Sequence, residues 1–170
     1  MRRLLLLRHA KSSWADERHD DFERPLAPRG VRAAEAMADF LAREGLAPEL
    51  VLCSAARRAV ETWRRMAGRL EVKPKGLVEA ALYLAGSEAL LDRVRRVPDD
   101  HATVMLIGHN PGMETLARML SGSGDRTARR RMAEKFPTAA LAVIDFDVAR
   151  WAELAPGEGR LARFVTPKDL

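Results

Sequence analysis

Two arginines and two histidines in this sequence have the side chains needed to bind an anion and to react with it. Arg8 and His9 directly follow a run of four leucines, and Arg58 and His109 each come soon after another short apolar run. A guanidinium group offers a planar pair of donors to two oxygens of one anion. Neutral imidazole is a nucleophile that titrates near neutral pH. Together these four residues predict an anion site in which a histidine can take part in chemistry.

The apolar runs predict how these side chains are brought together. Leu4–Leu7, Leu50–Cys53 and His101–Ile107 are short and lack polar alternation, which is typical of parallel strands covered on both faces. Ligands of open α/β sheets lie beyond the carboxyl ends of such strands. If the three strands are neighbours, their polar ends meet in one crevice. The alternative is that Arg8 and His9 only solvate the end of a strand.

Helical spacing alternates with the strands along the chain. The predicted helices are Val31–Glu44, Ala56–Arg69, Ser87–Arg95, Met113–Leu120 and Thr127–Glu134. Further strands are predicted within Val72–Val78, Ala139–Phe146 and Leu161–Val165, with a glycine-rich loop at Ser121–Asp125. This order predicts an α/β fold with three layers, α/β/α, around a mainly parallel sheet with an antiparallel edge. We expect one domain spanning residues 1–170.

The residues around these positions resemble three motifs of the histidine phosphatase (phosphoglycerate mutase-like) superfamily. Residues 8–14, Arg-His-Ala-Lys-Ser-Ser-Trp, are similar to its opening signature in the form typical of small SixA-type phosphohistidine phosphatases. Residues 54–62 resemble the second motif, with Arg58 at its arginine position, and residues 108–112, Gly-His-Asn-Pro-Gly, resemble the third. Residues 24–30 resemble a connecting element of the SixA branch. The motifs follow one another in the expected order.

The resemblance implies a phosphoglycerate mutase-like fold and a phosphatase that uses no metal or other cofactor. In it, His9 is the nucleophile that forms a covalent phosphohistidine, and Arg8, Arg58 and His109 bind the phosphoryl group. Such a group carries charge spread over three oxygens, so positioned cations and donors suit its transfer. Two nearby arginines also disfavour protonation of His9, which keeps it in the nucleophilic form.

Four further residues are candidates for substrate binding: Lys11, Ser13, Arg24 and Asn110. Lys11 and Ser13 could donate to phosphate, or they could belong to a turn with exposed polar side chains. Arg24 could face the mouth of the pocket, or it could form a salt bridge with Asp20 or Asp21. Asn110 is part of the third motif.

Glu79 is the candidate general acid, because many members of the superfamily have a glutamate between the second motif and the second histidine. Its alternative is a solvated loop carboxylate, and SixA-type proteins are thought to need no dedicated acid. Ala15 stands where the larger mutases have an asparagine, which disfavours mutase activity. The leading hypothesis is therefore a phosphatase acting on phosphohistidine in a protein. The alternatives are a small-molecule phosphomonoesterase of broad specificity and a non-catalytic module that binds phosphate or a phosphoprotein.

Composition limits the classes of partner. The chain of 170 residues is 47% hydrophobic and 31% charged, and it has no apolar segment long enough for a membrane helix. Its 29 basic residues are spread among 24 acidic ones, and only 5% of residues are aromatic, which disfavours specific nucleic-acid binding. A phosphoprotein or a phosphorylated small molecule is the expected partner, with no membrane, and oligomeric state is not specified. One cysteine and no secretory segment indicate a cytoplasmic protein.

Overall fold

The computed structural model describes residues 1 to 170 and contains one sheet of seven strands. The strands are β1 (Arg2–Arg8), β2 (Leu50–Ser54), β3 (Lys75–Glu79), β4 (Thr103–Gly108), β5 (Ser121–Gly124), β6 (Leu141–Phe146) and β7 (Gly159–Val165). Their order across the sheet is β3-β2-β4-β1-β6-β7-β5. The pairs β3–β2, β2–β4 and β4–β1 are parallel. Strand β6 runs antiparallel to both β1 and β7, and β5 is parallel to β7. The sheet is therefore mixed, with β6 as its reversed strand.

Five helices cover the two faces of the sheet. They are α1 (Pro28–Arg43), α2 (Arg57–Ala67), α3 (Ser87–Arg95), α4 (Gly112–Leu120) and α5 (Arg126–Glu134). Apolar residues of α1 and α2 share one buried cluster with one face of the sheet, and those of α3, α4 and α5 share a second cluster with the other face. The predicted three-layer α/β/α class is confirmed. None of the helices has the length and apolarity that crossing a membrane requires.

Strand β1 lies at the middle of the sheet, which explains its unbroken run of leucines. Leu4 and Leu6 belong to the cluster on one face, and Leu5 and Leu7 belong to the cluster on the other. All four side chains are fully buried. A strand covered on both faces has no solvent side, so it needs apolar residues at every position.

Strand β5 departs from the loop predicted at Ser121–Asp125. Gly122 and Gly124 leave the backbone bare, and this lets β5 lie against its neighbours. A Cβ at Gly122 would collide with the carbonyl of Gly157, and one at Gly124 would collide with the carbonyl of Leu161. Glycine at these positions permits the close approach of β5 to β7 and to the turn before it, although glycine itself gives no strand signal.

Strands β2, β4 and β1 are parallel neighbours whose carboxyl ends are level. Ile107 of β4 pairs with Leu7 of β1 on one side and with Cys53 of β2 on the other. The residues that follow these strands therefore emerge side by side at one edge of the sheet. The polar strand ends are therefore brought together at one edge, as predicted.

Candidate active site

His9 is the first residue after β1, and its backbone and ring are both fixed. The backbone N–H donates to the Gly108 carbonyl at the end of β4 over 3.0 Å. Nδ1 lies 2.8 Å from the Ala10 carbonyl oxygen, and Arg58 Nε donates to Nε2 over 3.3 Å. Because a carbonyl oxygen only accepts and a guanidinium only donates, the proton is on Nδ1 and Nε2 carries a lone pair.

The surroundings of His9 favour its neutral form. The residue is buried, and this burial is the main reason why its pKa falls to about 3. The hydrogen bond to Ala10 opposes the shift, whereas His109, Arg58 and Arg8 add to it. Imidazole in this position is unprotonated at neutral pH, with its Nε2 lone pair available as a nucleophile.

Arg58 lies in the first turn of α2 and connects both histidines to a carboxylate. It donates from Nη2 to His109 Nδ1 over 3.3 Å, in addition to its contact with His9. On its other side, Nη1 donates to the Asp21 carbonyl oxygen over 2.6 Å and Nη2 donates to Asp21 Oδ2 over 3.1 Å. The side chain is 3% exposed, and each of its three nitrogens donates to a protein acceptor.

Thr62 explains why the second motif carries a threonine one turn after Arg58. Its Oγ1 accepts from the Ala10 N–H over 3.0 Å and donates to the Arg58 carbonyl over 2.7 Å. One buried hydroxyl thus ties the loop after His9 to helix α2. His9 and Arg58 are held at a fixed separation as a result.

His109 follows β4, and its ring lies 5.2 Å from that of His9 between centroids. Its Nε2 is 2.7 Å from Ser54 Oγ at the end of β2. Because Nδ1 accepts from Arg58, Nε2 carries the proton and donates it to Ser54. Burial lowers the pKa of His109 to about 4, and the charge of Arg58 contributes to that shift. Both histidines are neutral at neutral pH.

Arg8, the last residue of β1, has a donor that no protein group satisfies. Nη1 donates to the Phe136 carbonyl over 3.1 Å, but the buried Nε has no hydrogen-bond partner. Its charge lowers the pKa of both His9 and His109, so it acts within the same site. An unsatisfied buried donor is costly, and an anion bound there would satisfy it.

Asp21 is a site residue that sequence reasoning did not single out as functional. Its carboxylate accepts from Arg58 and Arg24 and from the Tyr83 hydroxyl. The hydrogen bond from Tyr83 is the main cause that lowers the pKa of Asp21 to about 2, and both arginines add to it. Asp21 stays ionised and orients two cations. Its closeness to Arg24 in sequence signalled one of these contacts, but nothing in the sequence signalled the contact with Arg58.

Arg24 takes the second of its two predicted roles. Its Nε and Nη2 donate to Asp21 Oδ1, and Nη1 donates to Ser12 Oγ over 2.6 Å. The exposed ring of Trp14 covers the guanidinium, with Cζ 3.5 Å from the ring centroid. Its donors are thus directed at protein acceptors. The structure thus shows the salt bridge with Asp21, and a direct contact of Arg24 with substrate stays a prediction.

Ser13 and Lys11 lie in the loop after His9 with different surroundings. Ser13 Oγ accepts from the Ala15 N–H over 3.1 Å, which is the turn contact given as its alternative, and its hydroxyl proton is still free to donate. Lys11 is exposed and lies beside Arg8 in a cleft next to the histidines. Their roles in substrate binding stay predictions.

Asn110 and Glu79 are held by other groups. Asn110 Nδ2 donates to the Phe136 carbonyl, and Oδ1 accepts from the Glu114 N–H, so this side chain supports α4 and the acceptor of Arg8. Glu79 forms a two-bond salt bridge with Arg93 at 2.7 and 2.8 Å, and this hydrogen bonding lowers its pKa. A carboxyl held ionised in this way is a poor proton donor at neutral pH. The salt bridge thus does not favour Glu79 as a general acid, and the roles of Asn110 and Glu79 stay predictions.

Comparison with known proteins gives one family. The profile of the histidine phosphatase superfamily (branch 1) matches residues 4–81. An uncharacterized protein of Mycobacterium tuberculosis, Rv1276c, is 35% identical over 95% of this chain and 100% of its own length. The structure of the candidate phosphohistidine phosphatase SixA of Nakamurella multipartitia has a TM-score of 0.83 and 30% identity, covering 98% of this chain and 96% of that chain. The corresponding Agrobacterium tumefaciens protein has a TM-score of 0.81 and 33% identity, with 98% of each chain covered.

A neutral histidine at the end of the central strand, facing arginines and a second histidine, fits the chemistry of the matching family. The chain belongs to the histidine phosphatase superfamily and is a phosphatase of that class. Within the superfamily it is of the SixA type, because the SixA structures match it over nearly its whole length at 30% and 33% identity.

Proposed function

We propose that this phosphatase removes the phosphoryl group from phosphohistidine in a protein, without a metal, through a covalent intermediate on His9. The observation that carries the proposal is the state of His9: its Nδ1 proton is committed to Ala10, and its Nε2 lone pair points into a cluster of cations. A nucleophile that is neutral and already oriented needs no separate base. The phosphohistidine names of the SixA relatives support the substrate class.

The first step transfers the phosphoryl group to His9. Nε2 attacks phosphorus, the P–N bond to the substrate breaks, and its electron pair returns to the substrate nitrogen. A substrate imidazole protonated on its other nitrogen leaves in neutral form, so no protein acid has to supply a proton. This fits the salt bridge that holds Glu79 ionised.

The second step is hydrolysis of phospho-His9. Water attacks phosphorus opposite Nε2, the P–Nε2 bond breaks with its electron pair returning to His9, and the water's proton leaves with the phosphate or to solvent. Once Nε2 is bonded to phosphorus it no longer accepts from Arg58 Nε, so in the intermediate this donor, together with Arg8 Nε, is free to donate to the negative oxygens. The two arginines thus play the role that Mg²⁺ plays in other phosphoryl-transfer sites.

His109 changes its charge when the site fills. Burial and the charges of Arg58, Arg8 and Arg24 lower its pKa to about 4, and Asp21 is the one nearby charge that raises it. A phosphoryl group beside it favours the protonated form, because an opposite charge raises the pKa of histidine. Protonation takes place at Nδ1, which then no longer accepts from Arg58 Nη2 and becomes a third cationic donor to phosphate.

We further propose that the partner is a phosphoprotein and that the reaction takes place in the cytoplasm. The single cysteine, Cys53, is buried and free, and burial raises the pKa of its thiol to about 12. An unpaired, unreactive thiol suits a reducing compartment.

Substrate preference tests the proposal. We would measure kcat/KM in the presence of EDTA for a 3-phosphohistidine peptide, para-nitrophenyl phosphate and a sugar phosphate. The phosphohistidine peptide should be preferred over the sugar phosphate by about 100-fold, because an alkoxide leaving group needs the general acid that Glu79 does not provide. Equal rates would indicate a phosphomonoesterase of broad specificity. Phosphate binding without turnover would indicate a non-catalytic module.

A further inference from the structure

A strongly basic cleft adjoins the candidate active site and shares Arg8 with it. The cleft has a volume of about 690 Å³ and lies between the end of β1, the start of α1, the end of α5 and the carboxyl-terminal turn of the chain. Six cationic side chains line it: Arg8, Lys11, Arg29, Arg131, Lys135 and Lys168. Glu134 is the one acidic residue among the lining residues. The reaction described above uses only Arg8.

This concentration of charge is local. The whole chain has 29 basic residues against 24 acidic ones, whereas the cleft has six against one. Arg131 forms a salt bridge with Asp169 over 2.7 Å. Lys11, Arg29, Lys135 and Lys168 are exposed and form no salt bridge or side-chain hydrogen bond. With Glu134 as the one carboxylate in the lining, most of their mutual repulsion is uncompensated, so an anionic partner would be stabilised there.

The lining distinguishes between kinds of anionic partner. Only two of the 13 lining residues are hydrophobic, Ala33 and Phe164, whereas sites for small organic molecules have mostly apolar walls. Phe164 is buried and is the one aromatic residue, so the cleft lacks the exposed rings on which nucleic-acid bases stack. Lysine is a flexible point charge that follows a carboxylate without demanding one geometry. These features suit several carboxylates carried by an extended peptide segment.

We infer that this basic cleft binds an acidic segment of the phosphoprotein substrate, in which Asp and Glu flank the phosphorylated residue. The inference rests on the proposed function, since it assigns the cleft to the same substrate. Arg8 lies at the junction: a phosphoryl group at His9 is on one side of it and the open cations are on the other. A ligand with phosphate and nearby carboxylates would use both sides at once.

The test compares two 3-phosphohistidine peptides of equal length, one flanked by aspartates and one flanked by asparagines. We expect the wild-type protein to have about tenfold higher kcat/KM for the acidic peptide at low ionic strength. This preference should fall as salt screens the exposed charges. The ratio of the two kcat/KM values within each variant is the readout, so a change in the catalytic step common to both peptides cancels.

Charge reversal in the cleft should remove the preference. The double variant Lys135→Glu/Lys168→Glu is expected to bring the ratio to about one or below, and Lys135→Gln/Lys168→Gln should give an intermediate ratio. The matched control is Lys73→Glu/Lys75→Glu, which changes net charge equally at exposed positions beside and on edge strand β3. That control should keep the wild-type ratio.

Each other result overturns a defined part of the inference. A wild-type ratio near one, or an equal loss in both double charge reversals, would show that the cleft does not bind acidic flanks. Tripolyphosphate that binds more tightly than the acidic peptide and depends on Lys135 and Lys168 would assign the cleft to a small polyanion instead. Absence of turnover and of labelled His9 with both peptides would overturn the proposed function itself, and the inference with it.

Discussion

Two groups of positive charge lie on either side of Arg8, and they are built in opposite ways. On the buried side, Arg58 and Arg24 are both bonded to Asp21, and Arg58 also contacts His9. On the open side, four cations of the basic cleft are exposed and form no salt bridge: Lys11, Arg29, Lys135 and Lys168. In the buried group, hydrogen bonds to protein acceptors fix the direction of each side chain. In the open group, the side chains carry charge but have no fixed direction.

The difference follows from what burial demands. A buried guanidinium without acceptors is costly, so the protein must supply acceptors, and these fix the direction of each donor. Directed donors are what stabilise charge in a transition state. Exposed lysines need no such partners, but their direction is then undefined, so they contribute attraction and orientation of a partner. Catalysis should therefore depend on the shape of the buried cations, and substrate selection on the number of open ones.

The largest effect on activity is expected when the planar shape of a buried arginine is lost and its charge is kept. Arg58→Lys keeps the charge but loses the planar fork, and we expect kcat/KM for a phosphohistidine peptide to fall by about 100-fold to 1,000-fold. The matched Arg29→Lys, in the basic cleft, should change it by less than about twofold, because only charge acts there. Steady-state kinetics of both variants gives the comparison. Equal effects of the two substitutions would remove the distinction between the two groups.

The next effect concerns stability and the burial of His9. The pKa of His9 is 6.5 when unperturbed and about 3 in the folded protein. Between about pH 7 and pH 5, the His9 ring therefore takes up a proton only in the unfolded state. Stability therefore falls with decreasing pH, and His9 alone accounts for about 2 kcal/mol of that loss. Urea unfolding of His9→Gln at both pH values should show a loss smaller by this amount. His19→Gln, at a partly exposed position, should keep the wild-type loss, and an equal loss in His9→Gln would disprove the assignment.

A smaller effect is expected where the buried cations are oriented. Asp21→Asn keeps the shape of the side chain but weakens its hold on Arg58 and Arg24, so we expect kcat to fall about tenfold. Affinity for inorganic phosphate should not fall, because a competing negative charge is removed. Measuring both kcat and the inhibition constant of phosphate distinguishes an effect on catalysis from an effect on phosphate binding. Asp16→Asn is the surface control, and a loss of phosphate affinity in Asp21→Asn would contradict the positioning role.

The smallest effect on activity is expected at Glu79. Glu79→Gln should leave kcat for the phosphohistidine peptide within about twofold, because the carboxylate is bound to Arg93 and has no proton to give. The free energy of unfolding should fall by about 1–2 kcal/mol, since Arg93 loses a charged acceptor in a half-buried position. A 100-fold loss of kcat without loss of stability would restore Glu79 as the general acid.

The sequence predicted those parts of the molecule that depend on neighbouring residues. Unbroken apolar runs such as Leu4–Leu7 indicated buried parallel strands, and these runs place His9 and His109 at one sheet edge, as the structure shows. Motif spacing also placed Arg58 correctly beside them. Each of these signals lies within a short stretch of chain.

The parts that were missed depend on contacts between distant stretches or on backbone alone. Asp21 accepts hydrogen bonds from Arg58 and Tyr83, which are 37 and 62 residues away in sequence. No local sequence pattern predicts a contact over such a separation. Strand β5 forms because glycines allow close approach, which composition does not distinguish from a loop. The basic cleft likewise joins cations from four separate parts of the chain.

Trapping the intermediate tests the central claim most directly. A rapid-quench reaction of the protein with a ³²P-labelled phosphohistidine protein, in EDTA, should give label on the enzyme that is acid-labile and base-stable, as a phosphoramidate is. The label should map to His9 and be absent in His9→Ala, while His101→Ala should retain it. If phosphate is released at full rate with no label on the wild-type enzyme, or if His9→Ala remains as active, His9 is not the nucleophile.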